Sequence, residues 1–76
     1  MPTVEDVVSS VFGVNRESLN EGSSPESVEG WDSMGHMNLV AALEQRFNVS
    51  IDIDDVMQMA NVGEIRQILA AYGVRG

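Results

Sequence analysis

Apolar residues recur along this 76-residue chain in four separate patterns. Val4, Val7, Val8, Val11 and Phe12 fall on one face of a helix. Thr3 followed by Asp6 has the spacing of an N-terminal cap with an acid in the first turn, and Gly13 supplies a stop. A first helix is therefore predicted over about residues 3–13. Met37, Val40, Leu43 and Phe47, with Leu39 and Ala41 beside them, give a broader apolar surface from about Ser33 to Phe47, ended by Asn48. That breadth predicts a central helix touching several partners. Ile51 and Ile53 alternate with acids as in a very short strand. Asp52, Asp54 and Asp55 ahead of Val56, Met57 and Met59 favour a short helix with acids at its positive end, and the helix is the preferred reading. Asn61 and Glu64 form a capping-box pattern, after which Val62, Ile65, Ile68, Leu69 and Tyr72 make the last amphipathic face. Gly73 ends it, and the tail beyond is expected to fray.

Residues 14–31 show no sustained period and carry Asn15, Asn20, Gly22, Ser23, Ser24, Pro25 and Gly30. So long a connection in so small a chain demands either function or pinning contacts. Leu19, Val28 and Trp31 are the expected pins, and Ser24-Pro25-Glu26 has the makings of a short helical turn. The expectation is an all-α, four-helix bundle with three longer helices, one short helix and a long first loop. It forms one domain over residues 1–76, with an ordered core at about 3–72.

Composition narrows the use of such a bundle. Twelve acids against four basic residues give a net charge of -8. Phosphate backbones and anionic membranes repel that surface, which excludes nucleic acid as the expected partner and favours basic protein surfaces. No apolar run is long enough to span a bilayer, and no basic-then-apolar segment opens the chain. With no cysteine, neither disulfides nor a thiolate metal cluster is available, in keeping with a reducing compartment. A cytoplasmic monomer without membrane insertion is expected. No nucleophile–base pair or metal-ligand cluster is evident, so no catalytic or metal-binding residue is assigned.

The chemistry concentrates in Trp31-Asp32-Ser33-Met34-Gly35-His36-Met37, where the loop gives way to the central helix. By helix logic Ser33 is a good N-cap. The same position suits a phosphate, because unpaired N–H groups and the helix dipole favour a negative group there. Trp31 reads as a packing anchor that holds the loop and so positions Ser33. His36 lies one turn on, has no companion ligand, and reads as a surface helix residue whose protonation would modulate docking. Met37 reads chiefly as core, with a share in a small apolar contact surface.

Asp32-Ser33-Met34 resembles the Asp-Ser-Leu signature of acyl carrier proteins, with methionine in the leucine place. Leu39 through Phe47 resembles their second helix, Ile51 through Val62 the segment holding their short third helix, Gly63 to Tyr72 their last, and residues 4–12 their first. The resemblance implies a 4'-phosphopantetheine arm on Ser33, installed from coenzyme A by a holo-carrier synthase or other phosphopantetheinyl transferase. It further implies carriage of acyl groups as thioesters to a ligase, ketosynthase or acyltransferase, with no enzymatic activity of the chain's own. Asp32, Met34, Met37, Glu44, Asp54 and Asp55 are the residues expected to meet the modifying enzyme and partners. Some apolar positions would line an acyl pocket.

The chain departs from the fatty-acid carriers of that family on the second helix. Positions where those carriers hold acids are Gly35, Asn38 and Gln45 here, Glu44 remains, and Arg46 adds a positive charge. The form looks more like specialised stand-alone carriers of polyketide, peptide-like or cell-envelope (lipopolysaccharide) pathways than of housekeeping fatty-acid synthesis. A peptidyl or aminoacyl carrier is the nearest alternative. A small helical interaction module, with Ser33 only a cap, is the alternative from another class.

Overall fold

The computed structural model describes residues 2–74. Four α-helices occur in the order α1 (Val4–Phe12), α2 (Ser33–Phe47), α3 (Ile53–Met57) and α4 (Val62–Ala71), and no strand forms among the described residues. The protein is an all-α bundle of three longer helices and one short one, as the periodicity predicts.

The termini follow from the capping residues. At α1 the Thr3 hydroxyl accepts from the Asp6 N–H while the Asp6 carboxylate accepts from the Thr3 N–H, a complete capping box. The Asn61 side-chain oxygen accepts from the Glu64 N–H at 2.8 Å, the forward half of the expected pattern at α4. Asn48 ends α2 in the left-handed region at φ 55, with its N–H and that of Val49 both donating to the Glu44 carbonyl. At the end of α4, Gly73 takes φ 83, its N–H bonds the Ala70 carbonyl, and the Val74 N–H reaches the Leu69 carbonyl. That bond pair closes the last turn and requires a residue at ease with positive φ. The expectation of a fraying tail falls mainly on residues 75 and 76, which lie outside the described residues.

The core gathers Val4, Val7 and Val8 of α1, Leu39 and Leu43 of α2, and Val62, Ile65 and Leu69 of α4. The one short helix, α3, contributes only Val56 from its own five residues.

The long loop is pinned, and by more than its apolar residues. Val28 and Trp31 are buried and Leu19 packs against the core, as expected. A 3-10 turn at Arg16–Ser18, which periodicity does not predict, starts from Asn15, whose side chain accepts from the Glu17 N–H. Ser24-Pro25-Glu26 opens a hydrogen-bonded turn, not a helix: Ser24 Oγ accepts from Glu26 N–H, and the Ser24 carbonyl accepts from the N–H groups of Ser27 and Val28. Further back, the carbonyls of Glu21 and Ser23 accept from the N–H groups of Gly63 and Val62, each at 2.9 Å. These are orphan donors at the start of α4, so the loop backbone satisfies that helix end. Arg66 of α4 adds ion pairs to Glu5 of α1 and Glu21 of the loop. Burial pushes the Glu5 carboxyl up, but its hydrogen bonds and the Arg66 charge together hold it below the usual carboxylate range.

Candidate functional site

The first turn of α2 is built from the loop inward. Trp31 is 2% exposed, its ring stacked on Phe12 of α1 with centroids 5.7 Å apart. This fixes the chain one residue before Asp32. The Asp32 side chain then accepts from the Gly35 N–H at 2.8 Å, and its carbonyl accepts from the His36 N–H. Asp32 is therefore the N-cap, and Ser33 is the first helical residue. This corrects the reading of Ser33 as the cap. An ionised carboxylate is the better acceptor at a helix start, and it leaves the neighbouring hydroxyl uncommitted. Ser33 is exposed.

Gly35 permits this arrangement. A Cβ there would lie 2.1 Å from the Gly30 carbonyl oxygen and 2.8 Å from the Phe12 ring. Any side chain would force loop and helix apart. The missing acid at this position thus has a packing cause, independent of which partners the protein meets.

Ser33 stands on the rim of a groove of about 650 Å³ between α2, α3 and the loop. Asp32, His36 and Met37 line it from α2 and its cap, and Ile53, Val56 and Met57 line it from α3. The wall is mainly apolar. Three of its large lining side chains are left in solvent, Met37 at 54%, Ile53 at 63% and Met57 at 79%, and Met34, next to Ser33 in the chain, is 78% exposed. Met37 therefore belongs to this wall and not to the core, because the core face of α2 is filled by Leu39, Val40 and Leu43. Ile53 and Met57 escape the sequence reading as surface residues. Their spacing of one turn on a helix of five residues is the available signal, but it is equally that of a core stripe.

His36 is likewise corrected. It is not a free surface residue but half-buried. Its Nδ1 accepts from the Trp31 indole N–H at 2.9 Å, and its Nε2 lies 2.9 Å from the Val56 carbonyl oxygen. The indole N–H is donor only and the carbonyl is acceptor only, so the two bonds together specify the neutral ring with its proton on Nε2. Both nitrogens are thereby occupied within the fold, and His36 has none left to serve Ser33 as a base.

The remaining expected recognition residues separate into two groups. Asp54 is exposed at the start of α3 and Met34 at the start of α2. Glu44 is turned inward, its carboxylate accepting from the Ile51 N–H at 2.9 Å, and Asp55 accepts from the Tyr72 hydroxyl at 2.5 Å. Tyr72 also accepts from the Asp52 N–H at 3.0 Å. The Asp55 hydrogen bond, reinforced by nearby carboxylate charge, raises the Tyr72 hydroxyl above its ordinary value. Glu44 and Asp55 thus brace the short helix. Among the described residues no group of three potential ligands is placed to hold a metal, and no helix is long and apolar enough to cross a membrane.

Comparison with known proteins agrees with this geometry. The family described by its phosphopantetheine attachment site matches residues 2–69. An acyl carrier protein of Wolinella succinogenes is 34% identical over 62 residues, covering 82% of each chain, and one of Cyanidium caldarium is 33% identical over 61 residues, covering 80% of this chain and 71% of that one. The solution structure of a holo acyl carrier protein from Geobacter metallireducens superposes with a TM-score of 0.79 at 26% identity, over 93% of this chain and 85% of that one. A match this long, carried on the same four-helix frame, leaves no room for an interaction module without a prosthetic group. The chain belongs to the acyl carrier protein family: it is not an enzyme but a carrier, holding phosphopantetheine on a serine and delivering acyl thioesters between the enzymes that load and process them.

Proposed function

We propose that Ser33 is the serine that bears the arm. The observation that supports this is the division of labour at the start of α2: Asp32 takes the capping bond, and the exposed Ser33 hydroxyl beside it makes no hydrogen bond among the described residues. The local chemistry fits a phosphodiester. Ser33 and Met34 occupy the first two helical positions, whose N–H groups have no carbonyl one turn back. The positive end of the α2 dipole faces the same point. When bound, the arm supplies a terminal thiol that holds the acyl group as a thioester. The chain's own residues supply the rest: Trp31 fixes the approach, Asp32 keeps the helix start formed, and the groove beside Ser33 offers apolar wall to whatever the serine carries.

Docking rests on the rim around Ser33. Met34, Met37, Ile53 and Met57 supply flexible apolar contact, while Asp32 and Asp54 supply charge that attracts a basic partner surface. With Glu44 and Asp55 occupied inside the fold, few acids are left on this face, and apolar contact carries more of the recognition. This supports service in a specialised polyketide, peptide-like or cell-envelope pathway over housekeeping fatty-acid synthesis. We read residues 1–76 as one carrier domain, monomeric and cytoplasmic.

The test is intact mass after incubation with coenzyme A, magnesium and a broad-specificity phosphopantetheinyl transferase. One phosphopantetheine is gained by the native chain and none by Ser33→Ala, whose helix content is retained. A folded native chain that gains nothing beside an active control overturns the assignment, as does a gain that survives Ser33→Ala.

A further inference from the structure

His36 is a titratable side chain in the groove wall that the carrier function does not use, and both its ring nitrogens are committed. Its bonds join three pieces of the fold. The Trp31 indole belongs to the loop that fixes Ser33, His36 itself to the first turn of α2, and the Val56 carbonyl to α3. The two ring planes are nearly parallel, at 11° with centroids 6.3 Å apart, and the indole N–H reaches Nδ1 at 2.9 Å. Phe12 packs on the other side of Trp31. A continuous row of side chains thus runs from α1 through the loop and α2 to the backbone of α3, and it ends on the groove wall opposite Ser33.

What lies at the far end of that row makes it consequential. Helix α3 is five residues long and buries only Val56 of its own side chains. Apolar burial within the helix is therefore slight, and Met59 just beyond it adds the next side chain to the core. Polar bonds add to that hold. At its start Tyr72 and the Asp52 N–H bond each other, and Asp55 closes the pair. Ahead of it Glu44 holds the Ile51 N–H. Toward its C-terminal end, the bond to the Val56 carbonyl comes from His36.

We propose that His36 is a positioning residue that holds the C-terminal end of α3 against the start of α2 and so sets the width of the groove beside Ser33. The group it positions is the one hung on Ser33, since Ser33 itself lines the groove. With His36 in place, α3 closes the wall over the base of the arm and its cargo. Without it, α3 keeps the burial of Val56 and Met59 and the bonds at Tyr72 and Glu44 but loosens at this end, and solvent reaches the cargo more often. This rests on Ser33 bearing the arm.

The experiment uses native chain, His36→Phe, which keeps the ring and loses both bonds, and His36→Gln, which keeps one acceptor and one donor on a flexible side chain. On the unloaded proteins, nitrogen-15 NMR reads the His36 tautomer and the Trp31 indole N–H resonance, and hydrogen exchange reads the α3 amides. The native ring is expected as the neutral Nε2–H form. His36→Phe shifts the indole resonance and speeds exchange of the α3 amides by roughly fivefold, the equilibrium change that loss of one hydrogen bond gives, with α1 and α4 amides much less affected. His36→Gln recovers part of that protection. On chains first verified as loaded by mass and charged with a medium acyl group, thioester cleavage by hydroxylamine follows the same order, fastest in His36→Phe. A native ring protonated on Nδ1 overturns the proposal. So does α3 exchange unchanged in His36→Phe, exchange raised equally throughout the bundle, or cleavage rates that ignore the variants. Failure of loading at Ser33 is a different result, read by mass, and overturns the attachment assignment while leaving the unloaded measurements standing.

Discussion

Helices α1 and α4 and the short helix α3 are held by opposite means. Val4, Val7 and Val8 meet Leu39, Leu43, Ile65 and Leu69 in a dry core, and the bonds between polar groups there lie at its edges. Around α3 the proportions reverse: Val56 is the one buried side chain of the helix, Met59 follows it, and His36 and Glu44 of α2 and Tyr72 at the end of α4 reach in to hold backbone and side chain. Apolar burial is non-directional and tolerates small shifts of the partners, whereas hydrogen bonds fix a position but each contributes little. A carrier needs both. The core keeps the bundle intact through repeated encounters, and the wall beside the serine stays adjustable.

Truncation on the core side should have the largest effect. Leu43→Ala removes a fully buried side chain and is expected to cost about 2–5 kcal/mol, enough to abolish much of the stability of so small a protein, measured by urea unfolding. If Leu43→Ala is tolerated as well as a change at α3, the contrast between the two regions fails. Next comes Gly35→Ala, at the junction of the two regions. Its Cβ would meet the Gly30 carbonyl, backbone that cannot rotate away, so a loss of about 1–3 kcal/mol is expected. Near-ultraviolet dichroism of Trp31 should change with it.

Tyr72→Phe sharpens the comparison. It deletes the hydroxyl that serves Asp52 and Asp55, so hydrogen exchange should accelerate in α3 with little change in α1. The native Tyr72 proton is held more tightly than in the unfolded chain. Its contribution is therefore present below about pH 10 and lost as pH rises through the raised folded value. That alkaline loss should vanish in Tyr72→Phe. The smallest effect is expected in acid. Glu5 and Asp6 are both held below the ordinary carboxylate range, Glu5 by hydrogen bonding and the charge of Arg66 working against burial, Asp6 first by the Thr3 N–H. Their contribution is present above about pH 4 and lost as pH falls through the lowered folded values. Melting temperature against pH should show the decline, and Arg66→Met should shrink the Glu5 share.

What the sequence displayed well was whatever depends on local chemistry. Thr3, Asn48, Asn61 and Gly73 sit where their side chains or backbone freedom place them, the three longer helices lie where the apolar period puts them, and the acids Asp52, Asp54 and Asp55 mark the start of the short one. Ser33 stood out for the same local reason. The cap is Asp32 and not Ser33: two adjacent residues are both good caps, and the loop's entry, fixed by Trp31 on Phe12, decides between them. Sequence places His36 on the surface and Glu44 and Asp55 among the partner-facing residues, because each one's partner within the fold lies on another element: the Val56 carbonyl, the Ile51 N–H, the Tyr72 hydroxyl. Met37 was read as core because periodicity reports a face, not what covers it.

The anchoring of the long loop on α4 has a consequence for biosynthesis. The carbonyls of Glu21 and Ser23 bond the N–H groups of Gly63 and Val62, so the segment that leads to the serine takes its final shape only when the last helix exists. A ribosome delivers Trp31-Asp32-Ser33 well before it delivers that helix. Contacts between such distant parts of a chain form late in folding. The order of manufacture is therefore built into the fold: the nascent chain has its serine before the helix that shapes the approach to it, so an enzyme that reads that shape would meet it only once α4 is made.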